Sequence, residues 1–234
     1  MLSDAIPRVA QAAAQRFRTF WSSPGDVFEA QECERHVLRL LDRRGYLPLA
    51  DASILEVGCG TGAWLRQLVR WGARAEHLTG IDLLPDAVGR ARQRLPPGVR
   101  IQIAHAARLP FSGGCFDIVL QATLFTSVLD PRVRRQMAAE MLRVVKPGGL
   151  ILWYDFHVNN PRNPDVRRVT GREIHDLFPE CRIELRRCTL APPLARLVAP
   201  RSWLLAHVLN AVPLLRTHYL GAITPRTRAS TSPG

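Results

Sequence analysis

The nine residues 54–62, Ile-Leu-Glu-Val-Gly-Cys-Gly-Thr-Gly, constrain this chain more than any other stretch, because they join a short apolar run to three glycines at alternate positions. Ile54, Leu55 and Val57 suit a strand buried on both faces. Gly58, Gly60 and Gly62 then permit a sharp turn and let the main chain approach a ligand with no Cβ in the way. An amphipathic run follows at 63–71 and stops at Gly72. Strand, tight turn and helix in that order predict a small ligand held at the turn.

The rest of the chain repeats that alternation. Apolar runs at 77–82, 100–104, 115–121, 150–156, 181–189 and 217–223 read as strands, and periodic runs at 29–44, 85–94, 131–145 and 172–178 read as helices. Such alternation predicts an α/β fold, a mostly parallel sheet with helices on both faces and ligands at the carboxyl ends of the strands. Residues 1–50 are expected to supply N-terminal helices, one at 6–21 ended by Ser-Ser-Pro-Gly, acting as a substrate lid or as packing. Residues 191–216 are apolar but broken by Pro192, Pro193, Pro200 and Pro213. A membrane span needs about 20 consecutive apolar residues, so two short helices forming a cap are expected instead. Trp203, Leu204 and Leu205 beside arginines leave transient membrane-surface contact as the alternative. The main domain is expected to be 51–223, with 224–234 a disordered tail.

A formal charge of +12 ordinarily points to a polyanionic partner, yet Lys146 is the sole lysine and the other basic residues are arginines in an alanine-rich chain. That bias reads as genomic base composition and solvated faces, so no nucleic-acid partner is favoured. The five cysteines, 33, 59, 115, 181 and 188, are odd in number and lack Cys-x-x-Cys spacing. Neither a disulfide framework nor a zinc site follows, metal ligands are not expected, and a reducing cytoplasm is the expected location.

Spacing distinguishes the ligand. A dinucleotide fingerprint reads Gly-x-Gly-x-x-Gly, whereas 56–62 reads Glu-x-Gly-x-Gly-x-Gly. With Gly80-Ile81-Asp82 ending the next strand, Leu109-Pro110-Phe111 before Phe116-Asp117-Ile118-Val119, and Lys146-Pro147-Gly148-Gly149 before the fifth strand, the chain resembles the class I S-adenosylmethionine-dependent methyltransferases, in their small-molecule branch. The resemblance implies a Rossmann-like seven-stranded sheet with the last strand antiparallel. It also implies that S-adenosylmethionine is bound by Glu56, Gly58, Cys59, Gly60, Gly62, Asp82, Leu83, His105, Ala106 and Gln121. Asp82 would accept from the ribose hydroxyls, for which an acceptor-only carboxylate is suited. The family often has Gly-Asp-Ala where this chain has Ala104-His105-Ala106, so His105 stands in the adenine-contacting aspartate's place.

Methyl transfer is a displacement at carbon, and a base is needed only if the nucleophile must lose a proton. Tyr154, Asp155 and His157 are the catalytic candidates after the fifth strand, His157 as the base because an imidazole titrates near working pH. Phe125, Thr126, Asn159 and Arg162 are the candidate substrate contacts. Gln121-Ala122-Thr123-Leu124-Phe125 stands where base-amino methyltransferases carry Asn/Asp-Pro-Pro-Tyr/Phe, which disfavours nucleobase chemistry. The expected activity is methylation, foremost O-methylation, of a small-molecule or glycan-type saccharide acceptor by a monomer or homodimer. An RNA or protein methyltransferase and a noncatalytic adapter are the rivals.

Overall fold

The computed structural model describes residues 23–160 and 163–226. The expected helix at 6–21, most of the expected tail, and Arg162 therefore lie outside the described residues. The first described helix, α1, is Pro24–Arg43 and starts five residues before the expected position. Its start explains the difference: Ser23 is the N-cap, its hydroxyl accepting from the Asp26 N–H at 3.2 Å, and Pro24 occupies the first helical turn. Proline has no N–H to lose there and its φ is already helical, so Ser23-Pro24-Gly25 opens a helix here. Gly45, at φ 71, ends α1 in the left-handed conformation, with the Tyr46 N–H reaching back to the Leu41 carbonyl at 2.9 Å.

Seven strands follow: β1 (Ile54–Val57), β2 (Leu78–Asp82), β3 (Arg100–Ile103), β4 (Phe116–Ala122), β5 (Val145–Phe156), β6 (Cys181–Leu190) and β7 (Arg216–Pro225). Between them lie α2 (Ala63–Arg70), α3 (Pro85–Arg94), α4 (Pro131–Val144), α5 (Gly171–Leu177), α6 (Pro192–Val198) and α7 (Trp203–Ala211). The sheet order is β3-β2-β1-β4-β5-β7-β6. The β1–β2, β1–β4, β2–β3 and β4–β5 pairs are parallel, while β7 runs antiparallel to both β5 and β6. The chain thus has the expected Rossmann-like arrangement. Strand β5 is longer than expected because Lys146-Pro147-Gly148-Gly149 lies within it.

Two apolar layers flank the sheet. One gathers Val37, Leu41, Ile54, Leu65, Leu78 and Leu152 beneath α1, α2 and α3. The other gathers Leu55, Val57, Met141, Trp153, Ile174 and Phe178 beneath α4 and α5. Each fully buried aliphatic side chain in them contributes about 1.5–3 kcal/mol relative to exposure. Ile54, Leu55 and Val57 are each 0% exposed, so β1 is covered on both faces and Glu56 is a carboxyl group set into a dry strand. The strand order reverses at β1 and β4, which opens a crevice beyond their carboxyl ends.

Candidate active site

The turn after β1 is built by its glycines. Gly58, Gly60 and Gly62 take φ values of 76, 51 and 75°, the left-handed region where a Cβ is disfavoured. At Gly58 a Cβ would also stand 2.8 Å from the Leu124 Cδ1. The turn is tied to β2: the Gly58 and Cys59 N–H groups both donate to the Ile81 carbonyl at 2.8 Å. Asp82, at the end of β2, completes the tie. Its Oδ2 accepts from the Gly60 N–H at 2.8 Å and its Oδ1 from the Leu84 N–H at 2.9 Å. Leu83 is half-buried beside it. The Cys59 side chain turns inward against Gly80, and burial, Glu56 and Asp82 all push its thiol upward.

Glu56 is 3% exposed, and its Oε2 is buried with no hydrogen-bond partner among the described residues. Burial lifts the group well above the ordinary carboxylate range; the Leu65 N–H and Arg66 oppose that shift, and the Asp82 charge reinforces it. An unpartnered buried acceptor costs about 1–3 kcal/mol, so this oxygen is poised for a cationic donor.

Across the crevice, Gln121 is fully buried and shapes the loop after β4: its Oε1 accepts from the Leu124 N–H at 3.2 Å and its Nε2 donates to the Tyr154 carbonyl at 3.4 Å. His105 folds onto its own turn, Nδ1 accepting from the Ala107 N–H at 3.1 Å, with Ala106 between them. Phe125 and Thr126 are 0% and 1% exposed; Phe125 packs on Trp153 with ring centroids 4.5 Å apart. Asn159 braces the following loop, its Oδ1 accepting from the Arg168 N–H at 2.9 Å.

The alternation of β5 divides the three catalytic candidates. Tyr154 and Phe156 project toward the α1 layer, where both rings meet His218, at 4.7 and 3.8 Å. Asp155 and His157 project to the other face. Asp155, 1% exposed, accepts from the Phe156 N–H at 2.9 Å and the Thr126 N–H at 3.3 Å. His157 packs on Tyr219 at 4.5 Å and its Nε2 is 2.9 Å from the Arg216 carbonyl oxygen, which assigns the proton to that nitrogen. Burial and then Arg187 hold its pKa below the ordinary imidazole value.

Tyr154 has neighbours that the sequence does not announce. Its phenol hydroxyl pairs with Thr189 Oγ1 at 3.0 Å, its ring lies 6.3 Å from Trp64 in the first turn of α2, and its carbonyl accepts from the Thr123 N–H at 2.7 Å. Thr123 and Thr189 hold positive φ values of 56 and 63°, costly for β-branched residues, and both brace Tyr154. Glu29, from α1, has Oε1 buried without a hydrogen-bond partner among the described residues. Burial raises its pKa to about 8 against the opposing charge of Arg196, and its field adds to the burial that raises Tyr154. The only local hint of Glu29 was its place four residues before Cys33 on the buried stripe of α1.

Helices α6 and α7 lie at the same end of the sheet, since β6 enters them at Leu190 and β7 leaves them at Arg216. They are fixed to α1 by the Arg196–Asp26 ion pair at 3.0 Å and by Asn210 Nδ2 donating to Glu32 at 2.7 Å. Phe28, Leu190, Ala195, Ala199 and Ala206 form a small apolar core between them. Among the described residues no helix is long and apolar enough to cross a membrane, and no group of His, Cys, Asp and Glu has a metal-binding arrangement.

Residues 54–149 match the family model described as a methyltransferase domain. The 2-methyl-6-phytyl-1,4-hydroquinone methyltransferase of Synechocystis is 36% identical over 54% of this chain and 41% of its own length. A ubiquinone biosynthesis O-methyltransferase of Aromatoleum aromaticum is 29% identical over 68% of this chain and 66% of its own. The chain therefore spans only part of these curated relatives. In fold it is similar to the 1,6-didemethyltoxoflavin-N1-methyltransferase of Burkholderia thailandensis, solved with bound 1,6-didemethyltoxoflavin and S-adenosylhomocysteine, at a TM-score of 0.63 and 17% identity over 96% of this chain and 89% of that one. From the motif at 56–62, the domain match over 54–149 and the strand order together, this chain carries a methyltransferase domain of the class I S-adenosylmethionine-dependent type.

Proposed function

We propose that this protein transfers a methyl group from S-adenosylmethionine to a small-molecule acceptor, and that the atom methylated is an oxygen. One observation carries the donor half: Glu56 Oε2 is a buried, unpartnered acceptor beside a left-handed glycine turn at the β1–β4 crevice. An ammonium group is the donor such an oxygen lacks, so the residues fit the methionine end of this ligand. Asp82 keeps acceptor capacity for the ribose hydroxyls beyond its two backbone bonds. Leu83 offers apolar surface to the adenine, and His105 and Ala106 stand at the adenine-contact position that the family resemblance implies. Gln121, Cys59 and the glycines act by holding the turn and the β4 loop in shape. When bound, S-adenosylmethionine would supply an electrophilic methyl carbon on a sulfonium, open to in-line attack by an oxygen lone pair with neutral S-adenosylhomocysteine as the leaving group.

The acceptor is placed beside Tyr154, between Trp64, His218 and the α6–α7 cap. Tyr154 orients the acceptor through its hydroxyl, which Thr189 already fixes. Glu29 takes the hydroxyl proton. It does so as the ionised carboxylate: a pKa near 8 leaves a minority ionised near neutral pH, a fraction that grows as pH rises and is basic enough for a phenol-type hydroxyl in the closed site. Helices α6 and α7 exclude water, as their anchoring to α1 supports. In this assignment Asp155, Phe125, Thr126 and Asn159 support the loops, and His157 is a framework residue. The relatives named for hydroquinone and ubiquinone methylation support a hydroxylated ring as the acceptor class.

The test is incubation with methyl-labelled S-adenosylmethionine and a panel of hydroquinones, catechols, glycosides, transfer RNA and protein extract. Label in the hydroxylated ring compounds, lost in Tyr154→Phe, is the expected result. Label confined to RNA or protein refutes the acceptor assignment, and failure to bind the donor favours a noncatalytic adapter.

A further inference from the structure

A cavity of about 480 Å³ lies between α1 and the edge of the sheet where β6 and β7 pair. His36, Arg39, Arg43, Arg186, Arg187 and Arg216 line it together with Pro213. Arg216 is already committed, its Nε donating to the Asn210 carbonyl at 2.6 Å and its Nη1 to the Arg187 carbonyl at 3.0 Å. Among the described residues, Arg39, Arg43, Arg186 and Arg187 make no ion pair with a carboxylate. Glu184, which lines the adjoining groove, is taken by Arg44 at 2.8 Å and Arg182 at 3.1 Å. Among the described residues His36 Nε2 is buried with no hydrogen-bond partner, and burial holds its pKa below the ordinary imidazole value against the opposing pull of Glu32. Cations converging on one concave surface without counter-charges focus a positive potential there. Guanidinium forks match the oxygens of a phosphate.

The rim of this cavity is apolar on one side. Helix α7 buries Ala206 and Asn210 and turns its larger aliphatic residues outward. Leu204 is 76% exposed and Leu214, just past α7, is 84% exposed, with Leu205, Val208 and Val212 also exposed around them. Pro213, which lines the cavity, sits between Val212 and Leu214, so the aliphatic face and the arginines share an edge. A contiguous apolar face of this kind marks an interaction surface.

We propose that this surface docks on an anionic phospholipid bilayer, with a headgroup phosphate in the arginine-lined cavity and the α7 leucines set into the interfacial layer. An aliphatic face beside arginines is complementary to acyl chains beside phosphates. It suits RNA less, because base recognition uses stacking on aromatic or guanidinium planes, and this rim presents leucine and valine. It suits a second copy less, because two sets of unpaired arginines would face one another. Docking needs neither the methyl donor nor the acceptor, so it stands or falls apart from the proposed transfer reaction.

The full chain is floated with vesicles of phosphatidylcholine alone and with vesicles carrying phosphatidylglycerol, at low and high salt. Binding is expected to the anionic vesicles and to weaken as salt rises. The double variant Arg39→Ala/Arg186→Ala is expected to lower the partition constant about 30-fold, from roughly fivefold per arginine near an anionic surface. Leu204→Asn/Leu214→Asn is expected to lower it at least about tenfold. These four side chains are exposed, so the thermal midpoint should not move, and a retained midpoint shows that lost docking is not lost folding. Equal binding to phosphatidylcholine alone, or indifference to the arginine variant, overturns the proposal. So does binding of inorganic phosphate or transfer RNA by the same arginines with no vesicle binding, which would assign the cavity to a soluble phosphate or to nucleic acid.

Discussion

Replacing Glu29 by glutamine tests the acceptor end of the site through stability alone, with no knowledge of the acceptor. Burial raises the carboxyl from its ordinary value of 4.5 to about 8, so across that interval the folded protein holds a proton that the unfolded chain has lost. With more protons bound in the native state, stability must fall as pH rises through the window. At about 1.4 kcal/mol per pH unit, the full interval corresponds to a little under 5 kcal/mol. Arg196 and partial exposure allow some relaxation, so the measured difference should be about 2–3 kcal/mol. Glutamine is nearly isosteric and does not titrate. Urea unfolding of both proteins should therefore give similar stabilities near about pH 4 and a Glu29→Gln protein about 2–3 kcal/mol more stable near about pH 9. Taking the difference between the two proteins removes the contribution of Glu56, which is raised in the same direction. A difference that stays flat across the window would show that Glu29 is solvated and would remove the reason for assigning it the acceptor proton.

Three other outcomes are expected. Gly58→Ala should lose about 1–2 kcal/mol from the left-handed backbone alone, and more if Leu124 cannot withdraw, read by urea unfolding together with weakened donor binding. Arg134 is fully buried and donates to the Val128 carbonyl at 2.6 Å, to Glu173 at 2.6 Å and to the Arg167 carbonyl at 3.0 Å, so Arg134→Ala should cost about 3–5 kcal/mol by leaving those acceptors unmatched. Thermal unfolding checks this, and Arg134→Lys should rescue only part of the loss because the fork is missing. With an identified acceptor, Tyr154→Phe should lower kcat by about tenfold or more while His157→Ala changes it by less than about threefold, measured in steady state.

The fold was legible because each strand and helix carries its own period, and the turn of the proposed donor site was legible because a left-handed turn demands glycine at fixed offsets. The cluster proposed to receive the acceptor was not. Tyr154, Thr189, His218 and Glu29 come from β5, β6, β7 and α1, and they meet only because β7 inserts between β5 and β6 while α1 lies across that part of the sheet. No local pattern encodes that insertion. The faces of β5 were also hidden: the apolar run at 150–156 gave the strand but not which of Tyr154 and His157 turns toward α1. The start of α1 was set five residues late because serine and proline mark helix starts as readily as stops, and only the Ser23 cap decides between them.

The central claim is that Glu56 and the glycine turn hold the methyl donor. Isothermal titration of S-adenosylmethionine and S-adenosylhomocysteine into the wild-type chain and into Glu56→Gln tests it directly. Saturable one-to-one binding by the wild type is predicted, weakened about 10- to 100-fold in the variant, as expected for a charge-assisted hydrogen bond of about 1.5–3 kcal/mol. No binding by the wild type, or equal affinity in both proteins, would contradict it.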